Sequence, residues 1–462
     1  MKSKSVLVLG AGESGVSMAR WCAFQGAQVR LADSLIRQEQ AEWLQKTLPG
    51  IPLVTGDFDG QLLTGVDYVA ISPGIDDRIP LLLQAKAQGL PLMGEMAFFA
   101  WALNTCYPVG SRPEILAVTG TNGKTTTTML TRAMCAAVGK NAVAAGNIGP
   151  TALSVLQDYL ENRRALPDCW VLELSSFQLL HCGAFHATVG AILNITEDHL
   201  DRHGDMACYA EAKGRILSEA VQVLNRQDDL VMSLKRETQP CVTFGLDRPG
   251  CADDFGLRTE EEGQWLVRGE QRLIGRNDIH LVGSHNIANV LAAFALVTQV
   301  SDNIEAMARA VADFRALAHR VEPVAQSMEG VFFYDDSKGT NVGATLAALK
   351  GLGQPLVLIA GGDGKGQDFT VMRSAVRKYV TAVVLIGRDA QKIADAWSDT
   401  GVPIEFAVDL PQAVRRAYVL GRKQCAVLLS PACASLDMFR NYIHRSEVFC
   451  AAALTIEGVT AL

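Results

Sequence analysis

The chain offers a phosphate-binding turn, Gly120-Thr121-Asn122-Gly123-Lys124-Thr125, between an apolar run and a helical pattern. Glycines bare the backbone N–H groups there, and the start of a helix presents the positive end of its dipole. Lys124 adds a point charge for β- and γ-phosphates, the Thr125 hydroxyl is a natural Mg²⁺ ligand, and Thr126 continues the cradle. The turn departs from the full phosphate-loop pattern at Val118, where a glycine is expected five residues before Gly123. By itself, a Gly-Lys-Thr turn can arise by chance.

Glu173 ends the apolar stretch Trp170–Leu172, and Asn194-Ile195-Thr196-Glu197-Asp198-His199 follows the stretch Val189–Leu193. Ligands of open α/β sheets gather at the carboxyl ends of strands. An acid and an imidazole there suit the magnesium that accompanies a nucleoside triphosphate. Singly, Glu173 reads as a surface acid and His199 as a helix-start residue; beside the loop they become metal candidates. A second motif, Gly10-Ala11-Gly12-Glu13-Ser14-Gly15, follows the first apolar run. With Asp33 about twenty residues on, it forms a dinucleotide fingerprint. It keeps an NAD-dependent oxidoreductase open as an alternative, although the same turn holds any nucleotide diphosphate, or no ligand. An oxidoreductase has no use for the loop at Gly120–Thr125.

These groups need strand ends and helix starts to hold them. Val6–Leu9, Gln28–Ala32 and Tyr68–Ile71 read as strands and Val16–Gln25 as a helix, the alternation of a parallel sheet covered on both faces. Asn104–Pro113, with its Asn, Pro, Gly and Ser, reads as a linker. A second unit opens with the strand Ile115–Thr119, then the loop and a helix, Thr126–Val138. Further strands are predicted at Cys169–Leu174, Val189–Ile195 and Leu230–Ser233, and an antiparallel ribbon over Phe255–Leu281. Helices at Asn286–Gln299 and Ile304–Phe314 lead to a second boundary at Leu317–Pro323. Strands at Val331–Tyr334, Pro355–Ala360, Ala382–Ile386 and Ala426–Leu429 form a third unit with helices at Asn341–Leu349 and Leu410–Leu420. The fold class is α/β, in three domains.

At 462 residues the chain exceeds one ordinary core. Its 49% hydrophobic and 20% charged residues exclude extensive disorder. A net charge of −7 leaves no basic field for nucleic acid or an anionic membrane, so phosphates must be met by single side chains, helix ends or metal. Eleven cysteines without a Cys-x-x-Cys pair suit neither a zinc site nor a disulfide framework. Buried thiols in a reducing cytosol are expected. The apolar run after Met1 is broken by Gly10, Gly12 and Glu13, so it reads as a strand and not a signal peptide. No stretch reaches the ~20 apolar residues of a membrane span. A soluble, cytoplasmic monomer is expected.

Together, Gly120–Thr125, Glu173-Leu174-Ser175-Ser176 and Asn194-Ile195-Thr196-Glu197-Asp198-His199-Leu200-Asp201 resemble the central domain of the Mur ligases and their relatives, including folylpolyglutamate synthase. His285-Asn286-Ile287-Ala288-Asn289, His319-Arg320, Asp336-Ser337-Lys338-Gly339-Thr340-Asn341 and Gly361-Gly362-Asp363-Gly364-Lys365 extend the resemblance. So do Ser430-Pro431-Ala432-Cys433-Ala434-Ser435-Leu436-Asp437, Gly10–Gly15 and Ser72-Pro73-Gly74, so that it covers nearly the whole chain. The Asp336–Asn341 and Ser430–Asp437 runs are similar to those of the family's D-glutamate-adding branch. The Asp-Asn-Pro-Arg motif of the diaminopimelate-adding branch and the His-His-Pro-Thr run of the L-alanine-adding branch are missing.

The resemblance implies an ATP-dependent amide ligase of peptidoglycan precursor synthesis. ATP would phosphorylate the carboxylate of UDP-N-acetylmuramoyl-L-alanine, and the amine of D-glutamate would attack the acyl phosphate through a tetrahedral intermediate. It also implies a Rossmann-like UDP-substrate domain over 1–108, a P-loop-type ATPase domain with a mostly parallel sheet over 109–317, and a Rossmann-like amino-acid domain over 318–462. Lys124 would contact the ATP phosphates, while Thr125 and Glu173 hold one Mg²⁺. His199 would serve a second Mg²⁺ with Lys213, a lysine carbamylated in the family that alone reads as an ordinary solvated one. Asn286 and Asn289 would take the adenine side, Arg320 the phosphates and Asp336 the ribose. Gly12, Ser14 and Gly15 would cradle the UDP diphosphate, with Asp33 and Ser34 near uracil, Ser72 and Gly74 along the cleft, and Asn147 and Ser175 on the substrate side. Lys338, Thr340, Lys365, Ser435 and Tyr442 would meet D-glutamate, whose two carboxylates call for lysines and hydroxyls. Glu13, an acid beside a diphosphate, is expected to point away. A non-catalytic nucleotide-binding regulator is a third reading, but such a protein would have lost Lys124, Glu173, His199 or Lys213. Closure about Leu317–Pro323 is expected to carry Lys338 and Lys365 towards the acyl phosphate.

Overall fold

The computed structural model describes residues 1–108, 110–421 and 425–462; Val109, inside the expected linker, lies outside them. The first sheet has five parallel strands in the order Leu53–Thr55, Gln28–Asp33, Ser5–Leu9, Tyr68–Ile71 and Leu92–Met93. Val6, Leu7, Val8 and Leu9 are all buried, because both faces of the central strand are covered. The helix Glu13–Phe24 starts just past Gly12, so the glycine turn lies at the carboxyl edge of this sheet. A helix, Glu95–Cys106, runs into the expected linker and shortens it. Its Phe98, Phe99 and Leu103 join one core with Trp170 and Leu153 of the next unit. Glu95, buried at the start of that helix, accepts from the Leu153 N–H at 3.1 Å.

The second sheet has nine strands: Gln271–Gly275, Gly263–Arg268, Phe255–Glu260, Cys241–Phe244, Val221–Asn225, Val189–Ile192, Glu114–Thr119, Cys169–Glu173 and Ala142–Gly146. Those before Phe255 in the chain run parallel, and the last two pairings, over 255–275, are antiparallel as the ribbon pattern predicts. Register places Val118 opposite Glu173 on one side and Ala191 on the other. Val118 is therefore an interior strand residue, and the loop begins only at Gly120. Leu230–Ser233 is not the expected strand. Asp228 accepts from the Val231 N–H at 3.1 Å and caps a short helix, Asp229–Ser233; the strand of this region is Val221–Asn225.

The third sheet runs Ile404–Phe406, Val380–Ile386, Leu356–Gly361, Ala426–Leu429, Phe332–Asp335, Glu322–Ser327 and Val459–Ala461. Only the pairings of Glu322–Ser327, with both its neighbours, are antiparallel. The chain enters this unit through 317–321, where His319 and Val321 adopt φ of 64° and 51°. All eleven cysteines are free. The expectation of buried thiols fails at Cys208 and Cys251, which are exposed. Among the described residues no helix is long and apolar enough to cross a membrane.

Candidate active site

The phosphate loop joins the strand Glu114–Thr119 to the helix Lys124–Ala137, with Gly123 as its left-handed N-cap at φ 85°. A Cβ on Gly123 would lie 2.3 Å from Asn289 Oδ1, so the bare backbone is required twice over. The loop is held from outside by Asn194, whose Oδ1 accepts from the Asn122 N–H at 2.8 Å and whose Nδ2 donates to the Asn122 carbonyl at 3.0 Å. Thr121 Oγ1 accepts from the Thr196 N–H at 3.0 Å. Lys124 curls back, donating to the carbonyls of Gly120 at 2.9 Å and Thr121 at 2.8 Å. Burial lowers its pKa, against the pull of Glu173 and Asp198. A phosphate offers this ammonium the counter-charge that carbonyls do not.

A cleft of about 170 Å³ opens in front of the loop, lined by Thr125, Glu173 and His199 and, from the third unit, by Arg320, Lys338 and Thr340. Glu173 is buried; its Oε1 accepts from Asn147 Nδ2 at 2.7 Å, while its Oε2 has no hydrogen-bond partner among the described residues. A buried carboxylate oxygen left over in this way suits a cation. His199 has φ 56°, and burial drives its pKa down to about 4, with Lys365, Lys124 and Lys213 adding to the effect and Asp198 opposing it. The ring is therefore neutral near pH 7, as a metal ligand must be. Lys213 does not line the cleft. It is fully buried behind the loop, donating to the Gly120 carbonyl at 2.9 Å with its ammonium 4.4 Å from the centre of the Tyr209 ring. Burial and Lys124 hold its pKa well below the usual lysine value.

Beside the loop, a second cavity is lined by Thr126, Asn286, Asn289, Arg320 and Asp336, the residues expected around a nucleoside. Arg320 crosses between units to donate to Thr125 Oγ1 at 2.7 Å. Asp336 is buried, and burial raises its pKa to about 7 although Ser430, 2.6 Å away, and Arg320 oppose the shift. His285, absent from the sequence-based set, lines the same cavity and is driven to a pKa of about 4 by burial and Arg320.

A cleft of about 490 Å³ between the first and second units is lined by Gly12, Ser14, Asp33, Ser34, Ser72, Gly74 and Asn147. Asp33 is pinned, accepting from the N–H groups of Ala11 at 2.7 Å and Leu35 at 2.9 Å. Gly15 and Ser175 do not line this cleft. A Cβ on Gly15 would lie 1.7 Å from the Gly10 carbonyl oxygen, so that glycine serves close packing, and Ser175 forms a capping box with Gln178. Glu13 does not point away: it lines the cleft, 3.6 Å from where a Cβ on Gly149 would sit. Gln178 is a lining residue that sequence reasoning missed.

The five residues expected to meet an amino acid are only partly brought together. Lys338 and Thr340 face the phosphate cleft, with the Lys338 ammonium 3.8 Å from the centre of the Tyr442 ring. Lys365 pairs at 2.8 Å with Asp198, whose carboxyl is held below its usual pKa by Lys365 and His199 against the effect of burial. Ser435 is buried, and neither it nor Tyr442 lines the cleft. Asp198, Asn194 and Asn341 are the structural residues that were missed as such. Asn194 and Asn341 pair with the loop, and Asp198 with Asn341 and Lys365, across the fold, and this leaves no mark in local spacing.

Three family models match the chain: the Mur ligase MurD-like N-terminal domain over residues 4–94, the Mur ligase middle domain over 118–297, and the Mur ligase glutamate ligase domain over 319–433. A protein of Aromatoleum aromaticum named UDP-N-acetylmuramoylalanine–D-glutamate ligase is 51% identical, over 100% of this chain and 99% of its own. A protein of the same name from Nitrosospira multiformis is 47% identical, over 100% and 97%. Among solved structures, the UDP-N-acetylmuramate-alanine ligase MurC of Thermotoga maritima superposes with a TM-score of 0.62 at 21% identity, over 98% of this chain and 99% of that one. MurF of Acinetobacter baumannii gives 0.60 at 17%, over 98% and 91%. These two likenesses speak for the fold.

Proposed function

This chain belongs to the Mur ligase family, and from that premise we propose that it joins D-glutamate to UDP-N-acetylmuramoyl-L-alanine at the expense of ATP, in cytoplasmic peptidoglycan precursor synthesis. The observation that carries the reading is the meeting of Lys124, Thr125 and Glu173 with Arg320, Lys338 and Thr340 around one cleft, next to the cleft of the glycine motif. Phosphate loop, phosphoryl-accepting carboxylate and attacking amine would thereby share a centre.

The γ-phosphoryl group of ATP passes to the substrate carboxylate and ADP leaves. The D-glutamate amine then forms the C–N bond, phosphate departs with the acyl C–O electron pair, and the nitrogen gives one proton to base while keeping the other as the amide N–H. The chain's part is to hold charge. Lys124 and the loop N–H groups cradle the transferred phosphate, and Arg320, which reaches Thr125 from the third unit, adds positive charge. Asn147 fixes Glu173 and faces the substrate cleft. Glu173 Oε2, which has no partner, and the Thr125 hydroxyl would suit one Mg²⁺; neutral His199 would suit a second, to which Lys213, once carbamylated, would add a carboxylate-like ligand. The lowering of the Lys213 pKa fits that modification, because only the neutral amine reacts with CO₂. Mg²⁺ would neutralise the oxygens of the transferred group. In the N-terminal cleft, Ser14 and Gly12 meet the UDP diphosphate and Asp33 and Ser34 its base. Lys338, Thr340, Lys365, Ser435 and Tyr442 form the amino-acid side, with Lys365 exchanging Asp198 for a substrate carboxylate.

Phosphate release with ATP and UDP-N-acetylmuramoyl-L-alanine tests the reading. Turnover is expected with D-glutamate and not with L-glutamate, L-lysine or diaminopimelate. Equal turnover with L-glutamate, or none with D-glutamate, overturns it.

A further inference from the structure

Asn341 is 4% exposed and sits where the third unit meets the phosphate loop. Its carboxamide and that of Asn122 form a reciprocal pair: Asn122 Nδ2 donates to Asn341 Oδ1 at 3.2 Å, and Asn341 Nδ2 donates to Asn122 Oδ1 at 3.1 Å. Asn341 Nδ2 also donates to Asp198 Oδ2 at 3.2 Å, and its Oδ1 accepts from the Ala344 N–H at 2.8 Å. Every donor and acceptor of the side chain is used. The orientation of the amide is dictated, since a carboxylate faces one end and a backbone N–H the other.

The partner on the loop is itself rigid. Asn122 has both its backbone N–H and its carbonyl held by Asn194, so its side chain reports the shape of the loop. On the other side, Asn341 ends the run that carries Lys338 and Thr340 into the cleft and caps the helix Val342–Leu352. Asp198 extends the contact by accepting from Lys365 at 2.8 Å. One more residue shows that this approach is built in. A Cβ on Gly343 would lie 3.1 Å from Asn122 Nδ2 and 3.2 Å from Thr196 Oγ1, tighter than side chains ordinarily pack.

We propose that Asn341 is a positioning residue, a clasp that docks the amine-donor unit onto the phosphate loop, and that Gly343 stays bare so that the clasp can shut. It rests on the ligase reading for the substrate that benefits: the clasp sets Lys338 and Thr340 where D-glutamate meets the acyl phosphate. Asn341→Asp separates the clasp from the cap. Aspartate still caps Ala344, but it donates no hydrogen bond to Asn122 and sets a second carboxylate against Asp198.

Steady-state phosphate release and solution scattering, on the full chain, test this with Asn341→Asp and Gly343→Ala. Both variants are expected to raise the KM for D-glutamate about tenfold, the equivalent of 1.4 kcal/mol. The KM for the UDP substrate, which lies between the other two units, stays within about twofold. With ATP analogue and UDP substrate bound, both variants should scatter with a larger radius than the wild type. A wild-type radius and D-glutamate KM in Asn341→Asp, or an equal rise in the KM of every substrate, overturns the clasp. If Asn341→Asp fails to fold, Gly343→Ala decides by the same two readouts. A wild-type protein inert with D-glutamate defeats the ligase reading, while the scattering comparison still decides the clasp.

Discussion

At the scale of single residues, Lys124 is the test of the phosphate loop. Its ammonium rests on two carbonyls and is lowered in pKa by burial, an arrangement that serves a ligand better than it serves the fold. Lys124→Ala is expected to cut kcat by about a thousandfold, the usual loss when a donor to developing charge is removed, with the melting midpoint little changed; phosphate-release rates read it. Glu95 is the opposite case, a buried acid outside the chemistry, with a pKa raised to about 7 by burial while the Leu153 and Ala152 N–H groups and Gln178 oppose. Unfolded, a glutamate titrates near 4.3, so between about pH 4.5 and 7 folding takes up a proton, and this group's contribution to stability falls as pH rises across that window. The span is about 4 kcal/mol at most. Glu95→Gln keeps an acceptor for Leu153 and loses the titration, so its denaturation midpoint should gain on the wild type from pH 5 to 8; parallel profiles would refute this. That Lys124, Thr125 and Glu173 line one cleft was legible in the sequence, because they fall on one strand end and one turn. Glu95, and the bond between Asn122 and Asn341, were not: the latter joins residues 219 apart in the chain, and only the fold sets them together.

At the scale of elements, the sheet that carries the loop was legible where local signals agreed. The apolar run before Gly120 and the helix after Gly123 were both foreseen, and Val118, which looked like a defect in the motif, is a paired and buried strand residue. Leu230–Ser233 misled because a short apolar run fits strand and helix alike, and Asp228 as a cap tips the balance. Gly123→Ala tests the junction. It forces a Cβ into the left-handed region, at roughly 1–2 kcal/mol, and against Asn289. A weakening of ATP binding by about tenfold or more is expected, measured by calorimetric titration; unchanged affinity would mean that the helix start does not hold the nucleotide.

At the scale of the molecule, the first two units share one apolar core, whereas the third meets the second through polar pairs that include Arg320 with Thr125, Lys365 with Asp198, and Asn341 with Asn122. The chain between the second and third units passes through His319 and Val321, both in the left-handed region, and His319 is tied at 2.9 Å to Asp335. A β-branched residue at such a φ costs about 1–3 kcal/mol, which marks 317–323 as the place for motion. Saturation with ATP analogue and UDP substrate is expected to shrink the scattering radius relative to the free protein; an unchanged radius argues against a hinge there. Such motion is what the division of ligands among units leads one to expect, while the contacts between the units left no mark in the sequence. The ribbon at the far end of the central sheet has a consequence of another kind. Its outer strand, Gln271–Gly275, leaves backbone groups that a second chain could pair with. Arg272 is bound there to Glu260 and Glu262, Arg258 reaches Glu270, and the register slips between Leu266 and Val267. An incoming strand would have to strip water from those charges and match a kinked edge. The largest sheet of the molecule is thereby guarded against fibre-like growth, with salt able to weaken the charges but not the kink.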